Sequence, residues 1–147
     1  MPSARKFFSE AQQNEIVKAI RIAETYTSGE LRIHLEAHCK GDVYNRALFV
    51  FRKLKMDATA ERNGVLFYLA VADKQFAIVA DEGINKKVHA HFWDHIKEGM
   101  QTEFSQGRFM EGLIQGIEQT AEQLKVHFPF SKNDSNELPN EISFTNE

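Results

Sequence analysis

Carboxylates, amides and hydroxyls crowd four short turns of this chain, at spacings that suit a hard cation. Glu30 follows the Thr-Ser-Gly turn of TSGELRIH (27–34). The stretch MDATAERNG (56–64) offers Asp57, Thr59, Glu61 and Asn63 just ahead of an apolar run, and ADEGIN (80–85) ends another with Asp81 and Glu82. Near the C-terminus, NDSNE (133–137) adds Asp134, Asn136 and Glu137. Ca²⁺ takes about 6–8 such oxygens, and Mg²⁺ takes fewer because it keeps several waters. Each turn also has a plainer reading. Asp81 could cap a helix and gain from its dipole, 57–63 could be an ordinary capped loop, and NDSNE lacks the EF-hand spacing and its central glycine. Glu30 either starts a strand in water or points into a site.

Other chemistries find little support. Cys39, the one cysteine, excludes an intramolecular disulfide and thiolate-rich zinc sites. It follows His38 directly, and neighbours on a strand end point to opposite faces. No G-x-S-x-G elbow, P-loop or G-x-G-x-x-G occurs. His91 and His95, with Glu98 beyond them, would share one face of a helix, which suggests zinc. The sequence there is HFWDH rather than H-E-x-x-H, however, and a solvated helix face is the stronger expectation. A net charge of −3 without a basic stripe argues against nucleic acid. No run approaches ~18 apolar residues and the N-terminus has no apolar h-region, so we expect a cytoplasmic, non-inserting monomer.

The elements that must position these residues follow from periodicity. Ser9 with Gln12 reads as a capping box, and Ile16, Ala19, Ile20 and Ala23 form one helix face ending near residues 25–28. Leu31, Ile33 and Leu35 alternate with Arg32, His34 and Glu36, a strand over 30–37 whose second face is polar or half-covered. A helix carrying Ala47, Leu48, Phe51 and Leu54 ends around Met56. GVLFYLAVA (64–72) is apolar on both faces, as a central strand would be, and DK at 73–74 turns it into QFAIVAD (75–81). Two helices, about 86–104 and 108–126, follow. The fold expected is a three-layer α/β/α sandwich around a small mixed sheet of three to four strands. It would form one domain over 1–130, followed by a polar, acidic tail over 131–147. That tail is disordered by composition, unless residues 142–144 add an edge strand.

Five pieces in order, TSGELRIHLE (27–36), FRKLKMDATAERNGVLFYLA (51–70), FAIVADEGI (76–84), FWDHIKEGM (92–100) and GRFMEGLIQGIEQTAEQL (107–124), make the chain resemble a TPM domain. The better-known members of that family are thylakoid-lumen and bacterial envelope proteins. The resemblance implies an α/β/α sandwich, a divalent-cation site in acidic loops, commonly for Ca²⁺, and an acid-phosphatase activity suggested for plant members. It also implies roles in maintaining membrane complexes. By motif position it places Glu30, Asn63 and Asp81 near the site. Many members carry a signal peptide or membrane anchor, which this sequence does not show.

Topology gives the same three residues a meeting place. The hairpin sets the end of the third strand beside the start of the second, and the second runs parallel to the first. Glu30, Asn63 and Asp81 then share one edge of the sheet. Three functions follow as expectations. The first is a stand-alone domain whose acidic loops (Glu30, Asn63, Asp81, Glu82, Asp134, Asn136, Glu137) are ordered by Ca²⁺ or Mg²⁺ in a regulatory role. The second is a metal-dependent phosphomonoesterase in which Arg62 contacts the phosphoryl group. The third is a cation-dependent module for a protein partner, using FVFRKL (49–54) or KVHFPF (125–130), segments that core packing would also explain.

Overall fold

A computed structural model describes residues 3–131 and 137–145. After a short helix α1 (Ala4–Phe7), the capping box forms as expected: Gln12 N–H donates to Ser9 Oγ at 3.1 Å and Ser9 N–H to Gln12 Oε1 at 2.9 Å. It opens α2 (Glu10–Ala23), whose buried face is Ile16, Ala19, Ile20 and Ala23. Strand β1 (Glu30–Glu36), α3 (Val43–Lys53), a single 3₁₀ turn (Met56–Ala58) and the hairpin β2 (Gly64–Ala70) and β3 (Gln75–Ala80) follow. Beyond them lie α4 (Glu82–Asn85), α5 (Asp94–Ser105), α6 (Phe109–Leu124) and β4 (Ser143–Phe144).

The sheet order is β3-β2-β1-β4, with β1 parallel to β2 and β4 and with β3 antiparallel to β2. Side-chain alternation divides the core. Leu31, Ile33, Leu35, Val65, Phe67 and Leu69 face α2, α5 and α6, whereas Leu66, Tyr68, Ala77 and Val79 face α3. Every residue of β2 is buried, as a strand covered on both sides requires. Burying each large apolar side chain contributes about 1.5–3 kcal/mol, so this double coverage fixes the register that sets the sheet's edges. At Gly116 a Cβ would strike Met100 Sδ, and its absence lets α5 and α6 close together.

Two expectations change. Residues 86–93 form turns rather than the first half of a long helix, so α5 starts only at Asp94. No side chain caps that start, and the stripe of Val88, Phe92, Ile96 and Met100 reflects burial in the core across two kinds of backbone. The polar face of β1 is half-covered only at Arg32: His34 is 4% exposed and Glu36 3%. The tail adds β4, pairing His34–Leu35 with Ser143–Phe144. Among the described residues no helix is long and apolar enough to cross a membrane.

Candidate functional site

The register brings Glu30, Asn63 and Asp81 to one edge. Glu30 pairs with Gly64, Val65 pairs with Ala80, and Asp81 N–H donates to Gly64 O at 3.0 Å. Glu30 N–H donates to Asn63 O at 3.1 Å, which ties the start of β1 to the loop before β2. All three side chains are buried.

Their side chains have distinct partners. Glu30 Oε1 accepts from the N–H groups of Glu137 (2.7 Å) and Leu138 (2.8 Å), so the tail crosses this edge. Glu137 Oε2 in turn accepts from Ala60 N–H at 3.1 Å, inside the 57–63 loop. Asn63 Nδ2 donates to Ser28 O at 3.2 Å and its N–H to Thr59 Oγ1 at 3.1 Å, while Ser28 Oγ donates to Glu61 Oε2 at 3.2 Å. Asp81 caps α4 through Glu82 N–H (2.8 Å) and holds Arg62 with two bonds, Nε to Oδ2 at 2.7 Å and Nη2 to Oδ1 at 2.8 Å. Glu82 accepts from Arg62 Nη1 at 3.2 Å. Donating to the Asp81 carboxylate pushes the Arg62 guanidinium above its ordinary pKa. Arg62 adopts φ +52, and Gly83 N–H reaches Arg62 O at 2.9 Å. A Cβ at Gly83 would run into the backbone oxygens of Glu61 and Arg62, so only glycine lets the acidic turn after β3 lie on the loop before β2.

The donors here are oxygens of Glu30, Glu61, Glu82, Glu137 and Asn63 with nearby carbonyls, a set that suits a hard cation. Among the described residues, though, no three His, Cys, Asp or Glu side chains converge to hold an ion as they stand. Asp81 is the most committed carboxylate, being satisfied by Arg62. Asp134 and Asn136 lie outside the described residues. His89, His91 and His95 line a cleft beside Glu118 and Glu122, but all three are exposed and do not lie on one helix; His91 Nδ1 instead bonds Asp94 Oδ2 at 2.9 Å.

Sequence reasoning missed two carboxylates, the half-buried Glu24 and the buried Glu36. Glu24, just after α2, accepts from Leu31 N–H at 3.1 Å. Burial, with a smaller push from Glu30, raises its pKa to about 7. Under α3, Glu36 receives Arg46 in a bidentate pair (2.8 and 2.6 Å), the Tyr68 hydroxyl, and Thr145 Oγ1 at 2.9 Å. Burial alone would raise Glu36, but these bonds outweigh it and hold its pKa down to about 2. A charged residue on an alternating strand carried no sign of burial, because its partners come from α3, β2 and the tail.

Comparison with known proteins now bears on this arrangement. A family model described as the TPM domain matches residues 3–123. The chain belongs to the TPM family. The TPM fold matches the NMR structure of BA42 protein from the psychrophilic bacterium Bizionia argentinensis, at TM-score 0.92 and 47% identity over 99% of this chain and 100% of that one. The N-terminal domain of a protein from P. gingivalis superposes at TM-score 0.68 and 16% identity, covering 86% of this chain and 83% of that one. That of the cg2496 protein from Corynebacterium glutamicum does so at 0.64 and 12%, covering 96% and 82%; at these identities the two share the fold. A search of curated proteins gave no significant match. The matched region of this TPM domain stops short of the tail that carries Glu137, Leu138 and β4.

Proposed function

We propose that this TPM domain binds a divalent cation, Ca²⁺ or Mg²⁺, at the sheet edge formed by the starts of β1 and β2 and the end of β3. One observation carries the reading: Glu30, buried at that edge, holds the tail backbone at Glu137, and Glu137 holds the 57–63 loop at Ala60. A cation there would draw Glu30, Glu137 and the oxygens of the 57–63 loop together and relieve the repulsion among their charges. Asp81 and Glu82 supply negative potential beside it, and Asp81 becomes a ligand where Arg62 swings away. The role is regulatory ordering of loops. Calorimetry with Ca²⁺ on chelator-stripped protein tests this. A cation that binds only the folded chain stabilises it by roughly 2.7 kcal/mol at a hundredfold excess over Kd. Absence of heat and of any rise in Tm at millimolar Ca²⁺ would reject the reading, and Glu30→Gln should weaken whatever binding is seen.

A second reading, metal-dependent hydrolysis of phosphomonoesters, is favoured by the cleft of about 410 Å³ beside Asp81. Arg52, Arg62 and Lys86 line it together with Asp57 and Glu82, an arrangement able to receive an anionic group next to a cation. Hydrolysis of a chromogenic phosphate ester should then disappear with chelator and with Asp81→Asn. The partner-binding reading draws on Phe49, Val126 and Phe130, which are exposed while Phe51 and Phe128 are buried; a pull-down with and without Ca²⁺ separates it from simple cation binding.

A further inference from the structure

The edge of β1 that faces away from β2 is covered by residues 137–145, and the cover is chemically selective. At one end Glu30 reads two consecutive backbone N–H groups, those of Glu137 and Leu138. Leu138 and Ile142 are buried, at 8% and 9% exposure. At the other end Ser143–Phe144 runs parallel to His34–Leu35, and Thr145 N–H donates to Leu35 O at 3.2 Å. The Arg5 guanidinium stands 4.8 Å from the centre of the Phe144 ring.

His34 reads the segment's side chains. Its Nδ1 lies 2.9 Å from Ser143 Oγ and its Nε2 2.8 Å from Thr145 Oγ1. Thr145 Oγ1 donates its proton to Glu36 Oε1, so toward His34 it accepts, and Nε2 carries the imidazole proton. Nδ1 then accepts from the Ser143 hydroxyl. The relay runs Ser143 to His34 to Thr145 to Glu36, and Glu36 is fixed by Arg46 and Tyr68. Hydroxyl residues two apart in an extended segment satisfy it. Where β4 does not reach, the carboxylate of Glu24 takes the Leu31 N–H on the same side of the strand.

The groups that read its backbone N–H groups and hydroxyls sit on β1, supported from β2 and α3, inside the family-matched region, whereas the segment they read lies outside it. Its strand pairing spans only two residues. We infer that the outer edge of β1 is a strand-receptor site whose ligand in cis is the chain's own residues 137–145, and that it takes the same segment from a second copy of this chain. Every copy carries both receptor and ligand, so reciprocal exchange closes a two-fold dimer. Tethering favours the cis arrangement in dilute solution, because its effective concentration is on the order of millimolar.

The test keeps the whole chain. Residues 132–136 are replaced by a protease recognition sequence, the purified protein is cleaved, and chelator is present throughout, so that the cation reading has no bearing on the result. The released C-terminal peptide should stay with the body through gel filtration. A fluorescent copy of 137–147 should exchange in, with affinity roughly tenfold weaker when it carries Thr145→Val, because a buried hydroxyl relay is lost. Separation of the peptide from a body that keeps its NMR spectrum, or equal affinity of the Thr145→Val peptide, would overturn the inference. Should the cleaved body unfold, the intact chain decides by sedimentation. A reversible dimer toward about millimolar concentration, with isotope-filtered NOEs between Thr145 of one copy and His34 of a differently labelled copy, is the expected result; a monomer throughout, or a dimer without those intermolecular NOEs, would overturn exchange in trans.

Discussion

Between pH 7.5 and 5 two groups, the buried His34 and the half-buried Glu24, should pull the stability of this domain in opposite directions and nearly cancel. Burial pushes the His34 imidazole from its usual 6.5 down to about 4; Glu36 works against that shift, and Arg46, Arg32 and Lys53 add to it. A base with a depressed pKa contributes stability that is present above its unfolded value and lost as pH falls toward the folded one. Acidification from 7.5 to 5 therefore costs about 2 kcal/mol through His34. Glu24 behaves oppositely: its pKa is raised from 4.5 to about 7, chiefly by burial, so its contribution is complete below 4.5 and lost as pH rises through 7. Over the same interval, acidification returns about 2 kcal/mol through Glu24. Urea denaturation at several pH values separates the two. Wild type should be nearly level, Glu24→Gln should lose about 2 kcal/mol on acidification, and His34→Gln should gain a similar amount. Identical slopes in wild type and both variants would refute the reasoning. Glu36, held down to about 2, stays ionised in the native state across this range, and its contribution to stability is lost only as pH falls from 4.5 through about 2.

Three further outcomes follow. Arg46→Met leaves the Glu36 carboxylate, 4% exposed, without its bidentate partner, and should cost about 3–5 kcal/mol in urea unfolding; a loss under 1 kcal/mol would mean that Tyr68 and Thr145 suffice. Gly83→Ala forces a methyl group onto the backbone oxygens of Glu61 and Arg62 and should destabilise by about 1–3 kcal/mol, with amide shifts centred on 59–63 and 81–85. Arg62→Met frees Asp81 Oδ2 and leaves Oδ1 only its bond from Glu82 N–H, so calorimetric Ca²⁺ affinity should rise several-fold; an unchanged or lower affinity would set Asp81 outside the cation's ligands.

Much of the fold was legible because its signals are periodic. The alternation of Leu31, Ile33 and Leu35 and the unbroken run 64–70 determine a parallel pair, and the hairpin orients β3, so the meeting of Glu30, Asn63 and Asp81 at one edge follows from topology. What pattern cannot carry is the identity of partners distant in sequence. Asp81 is spent on Arg62, a loop residue at positive φ, and nothing in RNG or ADEG announces that pair. Glu30 is bound by backbone 107 and 108 residues away. His34 and Glu36 read as residues of a polar or half-covered face, because the tail that buries them has a polar composition. The stripe through Val88 and Phe92 read as helix for a related reason: burial repeats in turns as it does in helices, and the uncapped start at Asp94 left no mark.

The central claim is that a divalent cation occupies the edge joining β1, β2 and the end of β3. Paired amide NMR spectra of the full chain, one with chelator and one with Ca²⁺, test it most directly. Shifts confined to 27–30, 57–63, 81–85 and 137–141, and lost in Glu30→Gln, are the expected result. Unchanged spectra, or shifts gathered on His89, His91 and His95 instead, would contradict it.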